Sequence, residues 1–210
     1  MNFFSEFFGR LSIKRDATPL TTVEEVQEFV TTRAAFVAQK TLYGYVKTRM
    51  GTRYPSMFDN EVFNHSINIA KMQIFSACLS DLSIFAVANA FSELPTNHLL
   101  HAQTAVNFYK KGLSDNPNDA PEEFSPHEAI SSFEMRLSNT DWKIEAKDRS
   151  IFTESPKALY RWAPIAENLK KQDADIIVNS INFTWSEIRQ RFLRRLDVSA
   201  VCSSIESKKL

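Results

Sequence analysis

The apolar residues of this chain recur at helical steps of three and four over most of its length, and this spacing predicts helices throughout. The longest unbroken pattern runs from Ser56 to Leu94, with Pro55 and Pro95 closing it and no glycine or proline inside. Val62, Ile67, Ala70, Ile74, Ala77, Cys78, Leu82, Phe85, Val87 and Phe91 leave no wholly polar face in its second half. A helix apolar nearly all round is covered on several sides, so this segment is predicted to be the hub of a helical bundle. Its expected N-cap is Ser56 or Asp59.

Other helices follow from local start and stop signals. Thr22 with Glu25 three residues on forms a capping-box pattern, opening a helix through Val26, Phe29, Val30, Ala34, Val37 and Thr41 that Gly51 ends. After Pro95, Leu99 to Tyr109 predict a third helix ending near Gly112, followed by an exposed acidic loop from Ser114 to Glu123. Ser125-Pro126-His127-Glu128 opens a helix to about Leu137, and Ser155-Pro156 repeats the signal for a short one that Pro164 stops. Residues 138–153 read as an irregular connection or short helix, although Trp142 to Ala146 alternate briefly as a strand would. Ile177, Ile181, Trp185, Ile188, Phe192 and Leu196 predict the last long helix, with Asp173 and Asp175 at its start and Arg191, Arg194 and Arg195 at its end, matching the helix dipole. The expected architecture is all-α: one bundle of five to seven helices over residues 21–198, an amphipathic N-terminal arm over 1–15, and a polar tail over 199–210 that frays.

Composition supports this reading. Only four glycines and eight prolines occur in 210 residues, too few for the tight turns of a β-rich chain, and 43% hydrophobic content supports one substantial core. Two cysteines, Cys78 and Cys202, do not form a disulfide framework and fit a reducing compartment. Met72 to Phe91 is the nearest approach to a membrane span, but it carries Gln73, Asp81 and Asn89. An aspartate at mid-bilayer costs about 2.5–3.5 kcal/mol on insertion scales, which argues against spanning. The N-terminus lacks the features of a secretory signal, so the expected location is cytoplasmic, soluble or peripheral on the inner face of the membrane.

Net charge is zero, yet the signs are segregated. Phe3, Phe4, Phe7, Phe8 and Leu11 fall on one side of a helix with Arg10, Lys14 and Arg15 at its edge, the pattern of an interfacial helix on an anionic lipid surface or against another protein. Lys40, Lys47, Arg49 and Arg53, interleaved with Tyr43 and Tyr54, form an acid-free stretch that could bind anions. The more economical reading is that these cations meet the acidic segment between Lys111 and Arg136 or face solvent. Nucleic acid is disfavoured as a partner, since neither a recognition motif nor net basicity is present. His98 and His101 share a helical face but lack the paired Glu-x-x-His motifs of a di-metal bundle, so no metal or cofactor is expected. Asp81, flanked by Ser80 and Ser83, requires a partner if buried, and Arg33 or Lys40 would serve.

Arg33-Ala-Ala-Phe-Val-Ala-Gln-Lys40, followed by Leu42, Tyr43, Tyr45, Arg49 and Gly51, resembles the opening of a family of uncharacterised bacterial helical proteins, some labelled "esterase". The resemblance covers roughly the first half of the chain and implies an all-helical domain. No glycine frames a serine in a Gly-x-Ser-x-Gly elbow and no Ser-x-x-Lys occurs, so the label finds no motif here. The leading expectation is a non-catalytic protein attached peripherally to an anionic membrane or a partner through the arm and the basic segment. A hydrolase with a site outside known motifs and a soluble protein-interaction scaffold are the alternatives. Self-association is compatible with all three.

Overall fold

A computed structural model describes residues 18–94, 98–115, 121–143 and 147–206. Apart from one isolated parallel bridge between Leu20 and Leu196, all their regular structure is helical. The helices are α1 (Val23–Met50), α2 (Tyr54–Met57), α3 (Glu61–Ala90), α4 (His98–Ser114), α5 (Pro126–Ser138), α6 (Glu154–Trp162), α7 (Glu167–Gln172), α8 (Ala174–Arg195) and α9 (Val198–Glu206), with 3-10 turns at Gly51–Arg53 and Arg149–Ile151.

The bundle is built around α3, as its all-round apolar pattern predicts. From Phe75 to Ala88 nearly every side chain is buried, and α1, α4 and α6 pack against it. α3 is the one described helix long and apolar enough to cross a membrane, and most of its apolar window is covered by these neighbours. α8 closes the far side by packing on α1 and α6, with Ile177, Ile181, Trp185, Ile188 and Phe192 turned inward. Gly112 lies inside α4, which continues past it to Ser114, because the helix passes so close to α3 that a Cβ there would sit 2.6 Å from a Leu79 methyl.

α1 starts and stops as its sequence dictates. Thr22 Oγ1 accepts from the Glu25 amide at 3.2 Å while the Glu25 carboxylate accepts from the Thr22 amide at 3.1 Å. Gly51 takes the left-handed conformation that ends the helix, with a φ of 55°.

Three boundaries differ from the sequence reading. The hub does not start at Ser56: Pro55 opens a separate turn, α2, and α3 begins at Glu61 with Asn60 as cap, its side chain accepting from the Phe63 amide at 3.0 Å. Phe58 fills the bend between them, with Tyr54 and Phe63 edge-on at 5.2 and 5.4 Å. The C-terminal segment does not fray at Ser199. It forms α9, whose Val201 and Cys202 are buried and whose Cys202 thiol reaches the Ala90 carbonyl at the end of α3. Ser155 does not cap α6, which starts one residue earlier at Glu154. The proposed arm, residues 1–15, and residues 144–146 of the brief alternation lie outside the described residues.

Candidate functional site

Asp81 of α3 has no exposure to solvent, and donors from two other helices converge on it. Its Oδ1 accepts from Arg136 Nη1 at 2.7 Å and from the Glu154 amide at 3.3 Å. Its Oδ2 accepts from the Ser155 amide at 2.9 Å and the Ser155 hydroxyl at 2.6 Å. Two of these donors are first-turn amides of α6, which have no partner within their own helix. Asp81 therefore does from α3 what Ser155 was expected to do locally, and its charge also faces the positive end of the α6 dipole. The Ser155 hydroxyl in turn accepts from Trp185 Nε1 of α8 at 2.8 Å. Arg136 of α5 completes the seam by donating to Ser80 Oγ at 2.7 Å and to the Ile151 carbonyl.

This arrangement corrects the expected partner of Asp81. Arg33 lies over the Phe29 ring and Lys40 pairs with Glu187 at 3.6 Å, while the counter-charge comes from Arg136, 55 residues along the chain. Burial pushes the Asp81 carboxyl above its ordinary value, with Arg136 and then Ser155 pulling it back. Burial also pushes the nearby Cys78 thiol well up, with the Asp81 charge adding to the effect, so Cys78 is an inert core thiol.

Above the seam, α3, α4, α5 and α6 enclose an open cleft of about 890 Å³. Its floor is the one polar stripe of α3, Gln73, Ser76 and Ser80, at steps of three and four, with Tyr109 of α4 beside it. Ser76 and Tyr109 share a hydrogen bond of 2.6 Å, and Tyr109 stacks on Phe133 at 4.3 Å. Burial raises the Tyr109 phenol to about 12, so it keeps its proton at neutral pH and cannot act as a base toward Ser76. Ser155, the other activated-looking hydroxyl, is fully buried and out of reach of a substrate. Neither histidine nor cysteine lines the cleft. Its rims are charged: Glu123, paired with His65, and Glu128 on the α5 side, and Glu154, Lys157 and Arg161 on α6, where Lys157 pairs with Glu154 at 2.8 Å.

The basic segment is divided by the fold. Arg49 holds Asp173 through two guanidinium nitrogens, and Tyr45 donates to the same carboxylate at 2.9 Å. These bonds hold the Asp173 carboxyl below its ordinary value, while burial and Asp173 push Tyr45 up to about 12. Arg49 thus already has an anion, supplied by the start of α8. Tyr43 and Tyr54 pack on Phe58, and Lys47 and Arg53 are exposed. Lys40 and Arg49 of α1 meet acids of α8, while Asp115, Glu123 and Glu134 of the acidic segment pair with Lys111, His65 and Lys110. His101 is buried between Phe91 and Trp142, with ring centroids 5.6 and 5.3 Å away, and His98 lines a separate groove between α4 and α5. No three His, Cys, Asp or Glu side chains converge as a metal site among the described residues.

The chain before Thr18 leaves beside the end of α8, where Arg195 Nε donates to the Thr18 carbonyl at 2.7 Å. Lys47, Arg49 and Arg53 lie at the other end of α1, about 36 Å away at 1.5 Å per residue. Thr18 and the basic segment thus lie at opposite ends of α1. Compared with protein-family models, curated proteins and solved structures, the chain has no significant match.

The seam carries a stability prediction. Arg136→Met leaves Asp81 buried without its counter-charge and should cost about 3–5 kcal/mol. It also raises the Asp81 pKa further above the unfolded 3.8, so protons bind the folded variant more tightly and its stability falls as pH rises from about 4 towards neutral. Urea denaturation at pH 4.5 and pH 7 checks this; a variant equally stable at both values contradicts it.

Proposed function

We propose that this protein is a non-catalytic helical scaffold that receives a segment of another polypeptide in the cleft between α3, α5 and α6. The observation that carries this reading is the division of the cleft into a saturated floor and two charged rims, of which the α5 side is acidic and the α6 side carries Arg161 beside the Lys157–Glu154 pair. Ser80 and Arg136 are committed to the seam below, and Ser76 to Tyr109, so the floor offers shape and hydrogen-bonding surface without a nucleophile and its base. The α6 rim adds Trp162, over whose ring the Arg161 guanidinium lies 5.1 Å from the centroid, giving a flat cationic ledge suited to an acidic or aromatic side chain. Glu123 and Glu128 opposite suit basic side chains. An extended segment bearing both charges matches this pattern, and charge of this kind governs specificity and rate of association. The hydrolase alternative has no comparable support, because its two best hydroxyls are held by a protonated phenol and by a sealed core.

A second reading rests on the exit of the chain at Thr18. Exposed Arg191 and Arg194 stand at that end of α8, so a Phe-rich arm leaving there would have cations beside it for an anionic lipid surface.

An array of mixed-charge peptides tests the first reading. Binding by the wild type should weaken about tenfold or more in Lys157→Glu/Arg161→Glu, with little change in melting temperature because both side chains are exposed. Unchanged binding, or no bound peptide, contradicts it. The second predicts salt-sensitive co-sedimentation with anionic vesicles that is lost in Phe4→Ser/Phe8→Ser, and equal sedimentation of the two proteins removes it.

A further inference from the structure

α8 carries two stripes on opposite sides. The inner one, Ile177, Ile181, Trp185, Ile188 and Phe192, is buried in the core. The outer one, Ile176, Asn179, Phe183, Ser186, Gln190 and Leu193, is spaced by three, four, three, four and three residues and is exposed along its whole length. Ile176, Phe183 and Leu193 are 63%, 67% and 49% exposed, so this is not a solvated face of ordinary make-up. The stripe contains no charge, and the spacing is that of a coiled-coil seam.

We propose that this face pairs antiparallel with α8 of a second copy of the chain. The stripe is complementary to itself in that orientation. Centred between Thr184 and Trp185, the two-fold arrangement sets Ile176 against Leu193 of the second copy, Asn179 against Gln190, and Phe183 against Ser186. Apolar meets apolar, amide meets amide, and the largest side chain meets the smallest. A parallel pairing would instead set Phe183 on Phe183 and stack Asn179, Ser186 and Gln190 on themselves. Charge favours the same choice. Asp175 is the only charged residue in the first half of α8, whereas Arg189, Arg191, Arg194 and Arg195 crowd the second. Antiparallel helices bring the acidic start of one beside the basic end of the other and oppose their dipoles. Glu187 and Arg189, which flank the stripe, are turned to Lys40 and to Phe85 and Phe152 within the same chain, and exposed Asp175 and Arg194, at the two ends of the stripe, would face each other across the antiparallel pair. The contact is isologous and closes on itself, so it yields a dimer and not a filament.

Sedimentation equilibrium of the full chain from low micromolar to submillimolar concentration tests the pairing. A monomer–dimer equilibrium is expected, weakened about tenfold or more by Phe183→Glu, an exposed substitution that leaves the helix content intact. Orientation is read by oxidation: Ile176→Cys/Leu193→Cys should form a disulfide-linked dimer that neither single variant forms. The native cysteines are buried and do not compete. A chain monomeric throughout the range overturns the proposal, as does a dimer indifferent to Phe183→Glu but lost in Phe4→Ser/Phe8→Ser, or covalent linkage of Ile176→Cys alone.

Discussion

A carboxylate sealed from water must be met by donors from the protein, and the way Asp81 is met determines how this bundle is assembled. Four donors reach its two oxygens, from Arg136 of α5 and from the first turn of α6, and Trp185 of α8 supports the serine that supplies two of them. Around Asp81 the surface of α3 from Leu82 to Ala88 is almost wholly apolar, and such a surface tolerates rotation and sliding of the helices against it. One fixed charge with directional partners does not. The seam sets where α6 begins and how far α5 leans over α3, and the cleft is the space left between them.

A second polar clamp fixes the opposite side. Arg49 and Tyr45, one turn apart at the end of α1, hold Asp173 at the start of α8, while the other ends of these two helices are joined by the Leu20 backbone, which donates to the Arg195 carbonyl and accepts from the Asp197 amide. α1 and α8 are thereby tied antiparallel at both ends. This leaves the outer stripe of α8, with exposed Ile176, Phe183 and Leu193, facing away from the core, and it separates the acid-free stretch of α1 from Thr18.

Much of this was legible from local chemistry. The capping box at Thr22, the glycine stop at Gly51 and the inward stripe of α8 depend on neighbours within a few residues, and each is where the pattern puts it. Asp81 was legible as a residue in need of a partner, but the partner was not, because Arg136 looks like any arginine on a helix and its role exists only once α5 crosses α3. The same limit explains Ser155: Ser-Pro is a sound local start signal, and a carboxylate from another helix took over the capping task one residue earlier. The tail after Ser199 reads as polar because only Val201, Cys202 and Ile205 face the core, a stripe too short for periodicity to reveal. The cleft rests on Gln73, Ser76 and Ser80, three polar residues at helical spacing that stand out only when α4, α5 and α6 are seen to enclose them.

The Asp81 seam is the fixed point of the fold, and it should hold α6 as tightly as the central helix itself. Hydrogen exchange of the Ser155 amide and the Trp185 indole N–H tests this directly. Both should exchange only through global unfolding, with protection equal to that of amides in the middle of α3. Exchange through a smaller opening, at the level of the short helices α7 and α9, would mean that α6 detaches while the hub stays folded, and that the seam is a local contact without the organising role assigned to it.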